Sequence, residues 1–385
     1  MSSPSRPLEG ILVADFSRVL AGPLATAVLA DLGAEVIKVE RPGVGDDTRH
    51  WGPPWTDNSS SYYESANRSK RSVELDLGDE GDLALARELV RRADVVVENF
   101  KTGTLDRRGL GYADVRALNP RAVYCSITGF GSVGGADLPG YDFLVQAVGG
   151  LMSITGSPDT EGGEPTKVGV ALVDVLTSKD TVIGVLAALR ARESTGTGQH
   201  VEVNLLSSLL GSLANQASGY LATGVAPGRM GNAHPSVAPY QLFHCADQQL
   251  AVAAANDGQF RRLVTTVGAP ELADRPEFAT NGARVTHRDL LVTELEKRLG
   301  DATADHWAAR LAEVGVPAGK VGSVGDAITL AAGLGLEPVV EVGDGATPQI
   351  RHAVTYSETP VTSYSPPPRL GEHNAEIRDW LQGSA

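Results

Sequence analysis

Cysteine is scarce in this chain: there are two, Cys125 and Cys245, far apart in sequence and in no metal or redox spacing. A disulfide framework is thereby excluded, and a reducing compartment, the cytoplasm, is the expected location. No apolar run approaches the roughly 18 residues of a membrane span, and the opening Met-Ser-Ser-Pro-Ser-Arg-Pro has no signal-peptide core. Positive charge is also in deficit. A net charge of −14 over 385 residues argues against nucleic acid or an anionic membrane as partner. An anionic small ligand would need a local basic pocket inside an acidic surface. Repeats, low-complexity tracts and a histidine pattern suited to metal are missing as well, so no metal is expected.

What is present is strand–helix alternation. Ile11–Phe16, a helix from Pro23 to Leu32 and Glu35–Glu40 form a β-α-β unit, with Pro23 in the first helical turn and Gly33 just past the end. Ser72–Leu77, Asp94–Phe100, Arg121–Ile127 and Gly198–Asn204 read as further strands, with an amphipathic helix over Asp79–Arg92. This order predicts an α/β fold, a Rossmann-like, mostly parallel sheet with helices on both faces. However, Ser17-Arg-Val-Leu-Ala-Gly-Pro23 after the first strand lacks G-x-G-x-x-G, so a pyrophosphate could not approach that turn as it does in NAD enzymes. Helices are expected over Asp142–Ser153 and Leu205–Thr223. A breaker-rich loop over residues 224–235 marks a boundary. Beyond it, a hairpin (Tyr240–Cys245, Leu250–Ala255) and helices near Gly258–Val267, Thr286–Leu299 and Ala304–Val314 predict a smaller α+β domain. The expected domains are 1–224 with 337–385, and 225–336, the tail returning to the first domain through a closing helix over Leu370–Leu381.

The stretch from Lys167 to Arg190 organises the chain. Lys167–Asp174 has the length and composition of a buried strand ending on a carboxylate, and Val175–Arg190 has helical periodicity. Asp174 would then stand where backbone N–H groups face a negative charge. As such it is either a helix N-cap or a chemical group.

Several segments together resemble one family, the class III coenzyme A transferases, which include formyl-CoA:oxalate transferase, carnitine CoA-transferase and the α-methylacyl-CoA racemases. They are Leu8–Ser17 with Ala21-Gly-Pro23, Leu32–Pro42, Asn67–Leu77, Asp94–Phe100, Gly140-Tyr-Asp142, the Asp174 segment through Gly196-Thr-Gly-Gln199, and Leu370-Gly-Glu-His373. Their order and spacing, over nearly the full length, carry the match. The resemblance implies that Asp174 is the catalytic carboxylate and that coenzyme A lies against Arg41, Leu75, Asn99, Phe100 and Arg107. It further implies a homodimer of two interlocked, ring-like subunits, and no permanently bound cofactor, CoA being substrate and product. The family's pattern sometimes has glutamine where Leu20 stands and lysine near Pro139, two positions at which this chain departs from it.

On this reading Asp174, ionised at neutral pH, attacks an acyl-CoA and passes the activation to a small carboxylic acid. Arg41 suits a phosphate, and Asn99-Phe100 could bond and stack on adenine. The plain alternatives are a surface arginine at Arg41 or Arg107 and a core phenylalanine at Phe100. Lys70 and Arg71 read as solvated charges. Racemases of this superfamily carry histidine followed by aspartate where Tyr141-Asp142 stands. Tyrosine is a poor base at pH 7 but a good hydrogen-bond donor to an acyl carboxylate or oxyanion, which favours transfer. His234, in the loop before the second domain, could bind a substrate carboxylate or have no role. The rivals are an acyl-CoA racemase and a catalytically silent CoA-binding protein.

Overall fold

The computed structural model describes residues 6–343 and 345–383, which fall into two compact units. The larger comprises the chain to Leu151, Val168–Gly224 and the stretch from Glu337; the smaller comprises Met152–Lys167 and Val225–Leu336.

The larger unit is built on six parallel strands, β1 (Leu12–Asp15), β2 (Glu35–Glu40), β3 (Arg71–Glu74), β4 (Val95–Glu98), β5 (Val123–Thr128) and β6 (His200–Asn204), in the order β3-β2-β1-β4-β5-β6. Both sheet faces are covered, which is why β1, β2, β4 and β5 are buried almost throughout rather than at alternate positions. Val13 pairs with Val36 on one side and Val95 on the other, and Val95 with Val123. This row faces α1 (Ala21–Asp31), α4 (Leu172–Thr195) and α5 (Leu205–Ser212) in one apolar core. Ala14, Ile37, Val73 and Val96 face the opposite way, toward α2 (Glu80–Arg92) and the closing helix Asn374–Gln382. Nine of the eleven residues of α1 are buried, as expected of a helix held between sheet and α4. α3 (Asp142–Val148) approaches α4 near its start. Chain order reverses between β1 and β4, and at such a switch point the loops diverge and leave a crevice beyond the strand ends.

Beneath that crevice lies a buried charge network. Lys70, expected to be solvated, is fully buried: its ammonium bonds Asp15 Oδ2 at 3.1 Å, Asn67 Oδ1 at 2.9 Å and the Pro23 carbonyl at 2.8 Å. Three acceptors satisfy its three donors, so the charge is tolerated, although burial still pulls the lysine down to about 8. Lys38 likewise bonds Asp46 and the Ser17 carbonyl, and Glu40 pairs with Arg49.

Four other expectations are corrected. No strand forms over 167–174; α4 instead begins at Leu172, so Asp174 is its third residue. The helix expected over 205–223 breaks at Leu213, where Ala214 adopts φ 44°, and that over 142–153 stops at Val148 before Gly149-Gly150, whose second glycine has φ 91°. The closing helix starts at Asn374, four residues later than its apolar pattern suggests.

The smaller unit has a three-stranded antiparallel sheet, β7 (Tyr240–His244), β8 (Gln249–Ala253) and β9 (Ala318–Lys320). Helices Asp257–Thr266, Arg288–Leu299 and Ala304–Glu313 pack on it around Phe243, Phe260, Phe278 and Leu295. No helix among the described residues is long and apolar enough to cross a membrane.

Candidate active site

Two cavities open at the switch-point crevice, both within the larger unit. The first, about 540 Å³, is lined by the loop after β1 (Arg18 to Ala21), Asn99 to Thr102 after β4, Gly129 after β5, the 135–141 loop, and Asp174. The second, about 260 Å³, is lined by Arg41, Leu75, Asp76, Leu105 and Arg108, among others. Arg18 and Phe100 line both.

Asp174 owes its position to another aspartate. The residue before α4, Ala171, offers no side-chain cap, and Asp142, at the start of α3, supplies one from a distance. Its Oδ1 accepts from the N–H of Val173 at 2.7 Å and of Asp174 at 3.2 Å, while Oδ2 accepts from Gln146 Nε2 at 2.7 Å. The N-cap role considered for Asp174 thus belongs to Asp142. Among the described residues none hydrogen-bonds the Asp174 carboxylate, which faces the first cavity. Burial, reinforced by the Asp142 charge, pushes Asp174 up to about 7. The carboxyl is thus held well above the ordinary carboxylate range from which the sequence reading started.

The cavity wall depends on two glycines. The backbone crosses itself at Gly129 and Gly140, closing the 130–139 loop. A Cβ at Gly129 would lie 2.3 Å from the Gly140 Cα, and one at Gly140 would lie 2.5 Å from the Gly129 Cα. Only glycine at both positions permits this approach. Tyr141, next in sequence, is 63% exposed and lines the first cavity.

The other expected residues are distributed unevenly. Arg41 and Leu75 line the second cavity, Asn99 the first and Phe100 both. The Asn99 amide is already engaged: it accepts from the Arg18 N–H at 2.8 Å and donates to the Arg18 carbonyl at 2.7 Å. Arg107 lines neither cavity and donates to Thr104 Oγ1, whereas its neighbour Arg108 lines the second. Leu20 and Pro139, where the chain departs from the family pattern, both line the first. His234 belongs to the smaller unit, where its Nδ1 accepts from the Ser236 N–H and its carbonyl from Arg288.

Sequence reasoning missed Tyr62. It is half-buried, packs edge-on against Trp51 with ring centroids 5.3 Å apart, and is pushed up to about 12 by burial and by the charges of Asp174 and Asp142. Its hydroxyl thus stays protonated within the electrostatic reach of Asp174, but no period or motif in the Ser60–Glu64 stretch separates it from the fully buried Tyr63.

A cleft at the switch point, with a perturbed carboxylate and with Arg18, Arg41 and Arg108 among its lining residues, fits an acyl-transfer enzyme acting on an extended substrate that carries anionic groups. Residues 8–374 match CoA-transferase family III. The chain is 44% identical to the succinate–glutarate CoA-transferase of Agrobacterium fabrum, over 99% of this chain and 97% of that one. It is 40% identical to the succinyl-CoA:glutarate CoA-transferase of Mus musculus, over 97% of this chain and 86% of that one. A crystal structure of a CaiB/BaiF family protein from Brucella suis superposes with a TM-score of 0.88 at 45% identity, covering 98% of this chain and all of the other. The chain belongs to CoA-transferase family III and is a class III CoA-transferase, with CoA as its substrate and product.

Proposed function

We propose that the enzyme moves CoA from an acyl-CoA, succinyl-CoA first among them, to a small dicarboxylic acid, with Asp174 as nucleophile. The Asp174 carboxylate attacks the thioester carbonyl, the C–S bond breaks, and a mixed aspartyl anhydride and CoA thiolate result. The thiolate then attacks the aspartyl carbonyl, releasing the donor acid and leaving an aspartyl-CoA thioester. The acceptor carboxylate attacks that thioester in turn. The thiolate it expels takes the acceptor's acyl carbon and frees Asp174. One thioester is exchanged for another, so no ATP is needed.

The observation that carries this reading is the Asp174 carboxylate itself, at the cavity wall, with no hydrogen-bond donor on it among the described residues and pushed by burial above the ordinary carboxylate range. A carboxylate of that basicity is a stronger nucleophile than a solvated aspartate, and no protein hydrogen bond has to be broken before it attacks. Backbone N–H groups of the wall around Gly129 and Gly140, with the Tyr141 hydroxyl, are the candidate donors to the oxyanions. The relatives' names support dicarboxylates on both sides of the exchange. Arg41, Leu75, Asn99, Phe100 and Arg107 are proposed to contact CoA, joined by Arg108, which lines the second cavity. His234 is proposed to contact the acyl or acceptor carboxylate. The two-domain division, a homodimer and a cytoplasmic location complete the proposal.

The test is intact-protein mass spectrometry of wild type and Asp174→Ala after incubation with a panel of acyl-CoAs, with hydroxylamine as trap. Wild type should give an aspartyl hydroxamate and the variant none. Undiminished transfer by the variant would overturn the proposal. So would acceptor-independent exchange of an α-proton with deuterium, the mark of a racemase.

A further inference from the structure

Arg18 occupies the wall common to the two cavities and has no part in the proposal above. Its main chain is fixed by the Asn99 amide on both its N–H and its carbonyl. The next residue, Val19, has φ 71°, a conformation that a β-branched residue adopts only when its surroundings impose it; the Asp46 carboxylate holds its N–H at 3.2 Å. Asp46 is in turn fixed by Lys38 at 2.9 Å. The base of the Arg18 side chain is therefore rigid.

The guanidinium lies 5.1 Å from the centre of the Phe100 ring. Its one ionic partner is Asp47 at 3.3 Å, with both side chains more than 40% exposed, a pair that contributes little and exchanges readily. The Nε–H is buried and has no acceptor among the described residues. Leaving a guanidinium donor dry and unpaired is costly, and such groups point to a missing ligand. The other unpaired buried side-chain atoms among the described residues are on Glu64, Thr181 and His352, none of which lines either cavity.

A ligand that fills both cavities must pass Arg18 and Phe100. In coenzyme A the group joining the thiol-bearing pantetheine arm to the adenosine is a diphosphate. With the thiol end at Asp174 in the first cavity and the adenosine in the second, the diphosphate falls at the shared wall. We infer that Arg18 is a diphosphate-binding residue, its Nε–H and an Nη–H donating as a fork to phosphate oxygens while Phe100 holds the guanidinium plane. This inference rests on the assignment of the two cavities to CoA.

The test is calorimetric titration of the full chain with CoA, dephospho-CoA and pantetheine, using wild type, Arg18→Met and Arg18→Lys. Methionine keeps an apolar stem against Phe100 and removes every donor. The expected result for Arg18→Met is a loss of about 10- to 100-fold for both CoA and dephospho-CoA, and none for pantetheine, which has no phosphate. Arg18→Lys should recover part of that loss. Equal weakening of all three ligands would make Arg18 a packing residue. A loss for CoA but not for dephospho-CoA would move the contact to the 3′-phosphate, and unchanged affinities would remove Arg18 from the site; each overturns the inference. Asp174→Ala, titrated alongside, separates the two proposals. If that variant still transfers CoA while the Arg18→Met pattern holds, the nucleophile assignment fails and the diphosphate contact stands.

Discussion

Removing the charge of Asp142 tests the electrostatics of the site directly. Burial and that charge together raise Asp174 from 3.8 to about 7, which disfavours its carboxylate by about 4 kcal/mol relative to water. If ionised Asp174 is the attacking group, kcat/KM for acyl-CoA falls tenfold per pH unit below about 7, to about 1% of its plateau at pH 5. Asp142→Asn keeps an Oδ1 acceptor for the Val173 and Asp174 N–H groups, so α4 remains capped, but it deletes the neighbouring charge. Because burial is the larger cause, the acidic limb should move down by no more than about 1.5 pH units and remain above the ordinary carboxylate range. Initial rates from pH 4.5 to 9, with melting temperatures at each pH to exclude unfolding, give the answer. A wild-type limb near pH 4, or a limb that Asp142→Asn leaves in place or raises, would refute the reasoning.

Three further outcomes follow from the same structure. A carboxyl whose folded pKa is raised costs stability above about pH 7 and nothing below its unfolded value of 3.8. Asp174→Asn should therefore abolish transfer yet raise the melting temperature at pH 8, with the gain shrinking as pH falls from 7 toward 4 in thermal scans. Lys70→Met should destabilise by about 3–5 kcal/mol in urea unfolding, since it strands the buried Asp15 carboxylate without its nearest cation. Gly129→Ala should lose most transfer activity and about 1–3 kcal/mol of stability, because its Cβ meets the backbone of Gly140 rather than a movable side-chain end; unaltered rates would show that the crossing is not needed.

Parts of the site were legible before the fold was known. Asp174, Arg41, Leu75 and Phe100 lie on segments whose order and spacing match the family, and the structure puts them at one crevice. Others were invisible for identifiable reasons. Lys70 reads as a surface charge because a lysine's partners, here Asp15 and Asn67 with the Pro23 carbonyl, cannot be inferred from its neighbours in sequence. The run 167–174 is apolar enough for a strand, but Asp142, distant in sequence, caps the chain into helix two residues before Asp174. Arg107 and Arg108 are equivalent in sequence, and only the short helical turn they share decides which one lines a cavity.

The sequence by itself determined the parallel sheet and its helices, since β-branched runs and helical periodicity act over a few residues and survive without context. It also determined, through ordered motifs, the family, and singled out the Asp174 carboxylate as the candidate nucleophile. Tertiary structure alone decided the electrostatic state of that carboxylate, because burial and the Asp142 charge act through space between segments 32 residues apart. It alone also placed Arg18 against Phe100 from the ends of neighbouring strands, 82 positions apart in the chain, leaving one guanidinium donor at the join of two cavities without a partner.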